Sequence, residues 1–378
     1  MLSGLDETLM HQGPLPFAQA LLSDHRFYDR YVLTGFRGDG QAGIVTGIGV
    51  YKNLNVMDGY ALTQLGGASR QRNMRFSRPL HPIPEPLRLG PLRTEFSEPF
   101  KTLRFICEQN EHGDSFDLTF RGFLDAHLEN HHFGRTDGRV HTDYWRFSQV
   151  GWLDGTAQID GHPHAVEKWF SWRDHSWGVR PGVGGFEPFT GTRAGGGLPS
   201  SIRAGGRGIL VMYLGFATDH YGGMIQLQED EDGKRLYIDG RIGTADSASS
   251  EVTDVQHEFN FIPGTRLFDR LKLQVTTADR RRWDIDVESI GRAWVFKGAG
   301  YDSGFNDERG MGVWRGDALT VETDQYDLSH VEEVLLSDGG RWRPRHREQP
   351  VRVTVSGETG QGHFPIIVIG RNARYGLE

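Results

Sequence analysis

The chain has one cysteine, Cys107, among 378 residues, so it can form no internal disulfide and no zinc or iron–sulfur site built on cysteines. Cys107 ends the strand-like apolar stretch Leu103–Cys107. Nothing nearby would stabilise a thiolate, so a buried structural thiol is expected. Long hydrophobic runs are missing as well, and none approaches the ~18 apolar residues of a membrane-spanning helix. Residues Met1–Ser23 carry acidic side chains and proline where a secretory leader would be apolar, and a cytoplasmic protein is expected. Basic clusters are scarce: Arg280-Arg281-Arg282 and the arginines between Arg341 and Arg347 are short, and 42 Lys+Arg against 50 Asp+Glu leave a net charge of −8. That balance speaks against nucleic acid or an anionic membrane as partner.

Standard catalytic signatures are absent too. There is no Gly-x-Ser-x-Gly elbow, no Walker loop and no His-Glu-x-x-His helix. Gly47-Ile48-Gly49 begins like a dinucleotide fingerprint, but Lys52 and the lack of a following βαβ pattern end the likeness. No cofactor is expected.

Helix-period apolar stripes are hard to find, whereas glycine is abundant, at 51 residues, and aromatics reach 11%. Period-two segments recur, in Phe116-Asp-Leu118-Thr-Phe120, Leu271-Lys-Leu273-Gln-Val275 and Trp283-Asp-Ile285-Asp-Val287. Turn signals stand between such segments at Gly38-Asp39-Gly40, Gly59, Asp137-Gly138, Asp154-Gly155, Asp160-Gly161, Asp232-Gly233 and Asp239-Gly240. The expectation is an all-β protein of antiparallel meanders closing into barrels or sandwiches. Only Pro16–Leu22 and Leu328–Leu336 read as short helices, and the second reads equally well as a strand. The length suits two domains, and the Gly-, Pro- and Ser-rich stretch Pro181–Gly208 is the natural seam or a loop over the site. The division expected is 1–190 and 191–378.

Two segments carry candidate chemistry. In Asp125-Ala-His127-Leu-Glu129-Asn-His131, a strand would put four potential metal ligands on one face, against the plainer reading of a solvated face; no metal is expected. Five of the nine tryptophans, Trp145, Trp152, Trp169, Trp172 and Trp177, crowd one stretch ending in Trp172-Arg173-Asp174-His175-Ser176-Trp177-Gly178. As a strand, one face holds Trp169, Arg173, His175 and Trp177, and the other Trp172 and Asp174. Arginine, histidine and tryptophan together suit a cavity wall better than pure core or pure surface. There His175 would move protons near neutral pH and the tryptophans would stabilise positive charge. The alternative is a buried Arg173–Asp174 pair pinning a strand end.

Arg173–Gly178, with Gln149-Val-Gly151 and the Gly155…Asp160-Gly161 hairpin before it, resembles the carotenoid 1,2-hydratase (hydroxyneurosporene synthase) superfamily and its AttH-like relatives. The likeness is densest from Gln149 to Arg180, and Arg309-Gly310-Met-Gly312-Val-Trp314 resembles a late strand of these relatives more weakly. The resemblance implies two lipocalin-like antiparallel β-barrel domains packed side by side. It also implies protonation of an isoprenoid double bond followed by capture of water, with His175 and Trp177 in the signature positions. Tyr213 matches the Tyr of the family's Tyr-x-Asp, but Gly215 replaces the Asp. Asp174, or Asp219 and His220, are the candidates to supply the missing acid, against a reading of them as solvated strand ends.

The expected activity is a cofactor-independent hydratase or dehydratase acting on a small hydrophobic isoprenoid, steroid-like or aryl-alkenyl substrate. His175, Asp174, Trp177 and Tyr213 would be catalytic, with Arg173, Trp172, Trp169, Gln149, Asp219 and His220 around the substrate. An isomerase or carbon–carbon lyase using the same pocket, a lipocalin-like carrier, and a sugar-binding sandwich with tryptophan platforms are the other readings.

Overall fold

The structure is a computed structural model that describes residues 14–17, 19–65, 69–81, 88–136, 139–185, 208–246, 248–299, 305–307, 309–336, 339–344 and 346–378. It is all-β. The first twelve strands are β1 Phe27–Phe36, β2 Ala42–Tyr51, β3 Val56–Leu65, β4 Arg70–Pro79, β5 Arg88–Leu89, β6 Leu92–Glu98, β7 Thr102–Cys107, β8 Ser115–Gly122, β9 His127–Leu128, β10 His132–Thr136, β11 Arg139–Ile159 and β12 His162–Val179. They are followed by β13 Ile209–Ala217, β14 Tyr221–Asp230, β15 Arg235–Thr244, β16 Ser250–Phe261, β17 Phe268–Thr277, β18 Arg282–Ser289, β19 Trp294–Val295, β20 Thr320–Asp327, β21 Val334–Leu336, β22 Arg341–Trp342, β23 Arg347–Val355 and β24 Glu358–Ile369. No described helix is long and apolar enough to cross a membrane.

Strands β13 to β18, β23 and β24 form a closed eight-stranded antiparallel barrel, sealed where Ile285–Ser289 pairs with Val351–Val355. Its interior follows from the period-two segments. Leu271, Leu273 and Val275 of β17 and Trp283, Ile285 and Val287 of β18 all point inward, joined by Leu210, Met212, Leu214 and Phe216 of β13. Strands β4-β3-β2-β1-β12-β11-β8-β7-β6-β5 run in that order through the second, larger sheet. It curls so that Leu89 and Leu92 of its far edge cover Gly59 of β3. Its core contains Leu33, Ile44, Phe105, Phe116, Leu118, Phe120 and Trp169. β20, β21 and β22 extend this sheet beyond β4. Sheet membership therefore crosses between the sequence halves, and the expected boundary at 190/191 lies outside the described residues.

Asp160-Gly161 is the turn joining β11 to β12, with both residues at positive φ, 52° and 77°, as the tight hairpin requires. Other turn signals are not turns. Asp154-Gly155 sits inside β11 at a register shift, Asp239-Gly240 lies within β15, and Gly59 lies within β3. At Gly155 and Gly240 a Cβ would come within 2.1 Å of a carbonyl oxygen on the neighbouring strand, so these glycines serve close approach of backbones. Asp137-Gly138 and the core of the Pro181–Gly208 seam are outside the described residues.

Leu328–Leu336 ends in strand β21, and the described part of Pro16–Leu22 holds a turn rather than a helix. Arg309–Trp314 is irregular rather than a strand, tied by a single bridge from Met311 to Val183 and by Asp58, which accepts from the Gly312 amide. Cys107 is buried, and burial pushes its thiol up to about 12, which suits the structural role expected of it.

Candidate functional site

β12 belongs to the larger sheet and has a different environment on each face. Between Trp172 and Trp177 it alternates strictly: Trp172, Asp174 and Ser176 look toward the eight-stranded barrel, while Arg173, His175 and Trp177 look back toward the sheet's own core. Opposite them, β13 turns Val211, Tyr213 and Gly215 outward from its barrel. The two surfaces enclose a cavity of about 450 Å³, within the range of small-molecule sites. Aromatic side chains form much of its wall, including Tyr28, Tyr60, Tyr144, Trp172, Tyr213 and Tyr237, and Arg30, Arg146, Asp174, His346 and Glu348 place charge among them.

Asp174 is the distinctive group. It is 7% exposed, its Oδ1 has no hydrogen-bond partner, and it lines the cavity. Burial pushes its carboxyl up to about 6, with Arg146 and Arg30 pulling the other way.

A polar hub beneath the cavity positions the wall. Glu129 is fully buried and accepts from Arg146 Nε at 2.7 Å, from the Tyr213 hydroxyl at 2.7 Å and from Ser148, while His132 Nε2 lies 3.0 Å away. Burial works to raise its carboxyl, but Arg146 foremost, with His132 and Ser148, holds it below the ordinary carboxylate value. Tyr213 donates to Glu129 and accepts from Arg146, and its ring packs against Trp172 with centroids 5.6 Å apart. Tyr213 thus shapes the cavity wall, and because its proton is given to Glu129, it can meet a substrate hydroxyl only as an acceptor.

The structure separates the remaining expected residues. His175 Nε2 lies 2.7 Å from Asp29 Oδ1, a pair one-third or more exposed, with Phe147 and Trp177 at its edge. Alternation keeps His175 and Trp177 out of the cavity that holds Asp174, so the expected four-residue constellation is not assembled. Arg173 donates to Gln149 Oε1 at 2.7 and 3.0 Å and lies over Phe120 and Phe147. Burial lowers it to about 10, opposed by Asp174, to which it makes no recorded hydrogen bond. Gln149 in turn donates to the carbonyls of Phe100 and Leu124, a structural task. Trp169 is core of the larger sheet.

Asp219 and His220 occupy the exposed β13–β14 hairpin, paired with Lys168 and Glu358 at 2.8 Å, as solvated strand ends do. The metal reading of 125–131 also dissolves: His127 bonds Asp239, His131 bonds Asp143, Glu129 turns into the hub, and Asp125 is exposed. Among the described residues no group of three such side chains could hold a metal ion. Nor do the tryptophans form an exposed row, since Trp169 and Trp172 are buried.

Sequence reasoning missed Arg30, Arg146, His346, Glu348 and His363. Charged residues inside otherwise strand-like segments were the available sign, seen in Arg347-Glu348-Gln349, all buried at the start of β23.

Comparison with solved structures finds the same fold in a protein designated AttH from Nitrosomonas europaea, with a TM-score of 0.52, 11% identity, and 94% of this chain and 97% of that chain covered. Kievitone hydratase from Nectria haematococca aligns at 0.44, with 10% identity and 92% of each chain covered. CghA aligns at 0.41, with 10% identity and 95% and 96% covered. The AttH-like resemblance expected of Arg173–Gly178 is thus met at the level of the fold. No curated protein matches the sequence. A family model described as a family of unknown function, DUF8625, matches residues 2–378, and the chain belongs to that family.

Proposed function

We propose that the chain is a cofactor-independent acid–base enzyme of the hydratase or dehydratase type, acting on a small, largely hydrophobic substrate held between the two sheets. Asp174 carries the reading: a buried carboxyl with an unpartnered oxygen, held near pKa 6, facing a cavity of ligand size. In the direction of water loss, Asp174 gives its proton to the leaving hydroxyl as the carbon–oxygen bond breaks. In the direction of addition the same steps reverse: the alkene carbon is protonated, water captures the cation, and the Asp174 carboxylate takes up the proton that water gives off. Trp172 and the tyrosine rings favour an isoprenoid, steroid-like or aryl-alkenyl body, and their π faces stabilise positive charge at carbon. A carrier needs apolar walls with few ionisable groups, and the arginines and carboxylates here speak for catalysis instead.

The test is mass spectrometry of prenyl alkenes, aryl alkenes and matching tertiary alcohols incubated in oxygen-18 water with wild type, Asp174→Asn and His175→Ala. Labelled gain of water, or its loss, that disappears in Asp174→Asn and persists in His175→Ala is expected. Tight retention of an unaltered ligand would make the protein a carrier. An unchanged mass with shifted retention time would make it an isomerase.

A further inference from the structure

Across the cavity from Asp174 lies a second titratable cluster that this reading leaves without a task. Glu348 of β23 is 4% exposed and sits between two imidazoles: His346 Nε2 is 2.6 Å from its Oε1, and His363 Nε2 of β24 is 2.5 Å from its Oε2. All three side chains are buried, and His346 and Glu348 line the cavity. Two histidines and a glutamate placed this deeply are costly unless they are mutually compensated or useful.

The hydrogen bonds fix where the protons sit. Thr34 Oγ1 donates to the Trp172 carbonyl at 3.1 Å, so toward His363 Nδ1, 3.4 Å away, it can only accept. His363 therefore turns a protonated Nδ1 to Thr34, and its Nε2 lies 2.5 Å from Glu348 Oε2. On the other side, a hydrogen bond to Glu348 Oε1 makes Nε2 of His346 the donor and leaves Nδ1 as the basic atom of that ring. Burial works to raise Glu348, and His363 and His346 together hold it below the ordinary carboxylate value. Among the described residues, Thr34 and Phe36 of β1, Trp172 of β12 and Phe296, all uncharged, pack against the cluster from other elements. Arg347 turns to the carbonyls of Ala293 and Trp294, and Arg30 and Asp174 face the cavity from the larger sheet.

We propose that His346, oriented and charge-balanced by Glu348 with His363 behind it, is the proton acceptor that works opposite Asp174 in the same cavity. This rests on the proposed lyase reading. In water loss, Asp174 delivers its proton to the hydroxyl oxygen and the carbon–oxygen pair leaves with it as water. The electron pair of the neighbouring carbon–hydrogen bond becomes the second bond of the alkene, and that proton passes to His346 Nδ1. Glu348 offsets the imidazolium that forms, as a carboxylate behind a catalytic histidine does. One proton has then moved from Asp174 to His346, and exchange with water resets both groups; addition of water runs the same transfers backwards.

Long-range nitrogen-15 NMR of the full chain labelled at histidine, from pH 5 to 9, tests whether His346 can accept a proton. The Nε2–H neutral tautomer near pH 7.5, converting to imidazolium on acidification, and disturbed in Glu348→Gln, is expected. An Nδ1–H tautomer, or an imidazolium that persists across the range, would overturn the proposal whether or not a substrate is known. With any substrate turned over in the oxygen-18 panel, His346→Gln should lower kcat about 100-fold or more, leave KM within about 3-fold and remove the acidic limb of the pH–rate profile. Full activity in a folded His346→Gln protein, alongside loss in Asp174→Asn, would end this proposal and leave the lyase reading standing. No turnover in the panel, with the expected tautomer present, would instead count against the lyase reading.

Discussion

The interior of the closed barrel and the space between the two sheets are made by opposite faces of the same strands, yet they share almost no chemistry. On β13, Leu210, Met212, Leu214 and Phe216 fill the barrel, while Tyr213 and Gly215, between them in sequence, face the cavity. The barrel face is largely apolar, and its buried His257 is satisfied by Glu229 at 2.9 Å and by the Tyr375 hydroxyl. The cavity face keeps Asp174 Oδ1 without a partner and surrounds it with arginines, imidazoles and phenols. One surface supplies the apolar burial on which folding depends, and the other holds groups whose burial costs stability. The contrast locates function between the sheets rather than inside either barrel-like body.

The comparison can be broken most forcefully from the barrel side. Leu273→Ala leaves a void in the apolar interior and should cost about 2–5 kcal/mol in chemical denaturation, with activity per folded molecule unchanged. A matching loss of activity without loss of stability would deny the division of labour.

Asp174→Asn should do the reverse, lowering kcat about 100-fold or more. Because the folded pKa of about 6 lies above the ordinary 3.8, the native state binds the proton more tightly, and stability falls as pH rises between those values. The penalty is fully present above pH 6, so Asp174→Asn should be more stable than wild type there, by at most ~3 kcal/mol, and the gain should vanish near pH 4. Denaturation curves at pH 4 and 8 check the sign.

Gly215→Asp would restore the residue type that the resembling family carries. Here a Cβ at that position meets Trp172 Cδ1 at 3.2 Å and Val150 Cγ1 at 3.4 Å. The variant should lose about 1–3 kcal/mol by overpacking between the sheets and gain no activity. His175→Ala should have the smallest effect: under ~3-fold on kcat and under ~1 kcal/mol on stability, because its pair with Asp29 is partly solvated and on the wrong face.

Much of the fold was legible because period-two segments such as Leu271–Val275 become barrel strands with the alternation they show in sequence. The signature strand was legible as a site for the same reason, including the warning that alternation aims Asp174 away from His175. What the sequence hides is which face meets what. From Trp169 onward most of β12 is buried on both faces, one by its own sheet and one by the second barrel, so mixed polarity on each side could not tell core from cavity. His346 and Glu348 were out of reach because their meaning comes from His363 of the neighbouring strand, against which Thr34 and Trp172 of the larger sheet are brought. Asp-Gly pairs misled at 154–155 and 239–240 because glycine there admits a neighbouring backbone rather than reversing the chain.

The most direct measurement is carbon-13 NMR of the chain labelled at the aspartate carboxyl carbons, titrated from pH 3 to 8, with Asp174→Asn to assign the resonance. The account predicts that Asp174 titrates near pH 6, well above the solvated aspartates. A midpoint near 4 would mean the carboxyl is solvated or paired, and would contradict the claim that it is held in the cavity as an acid.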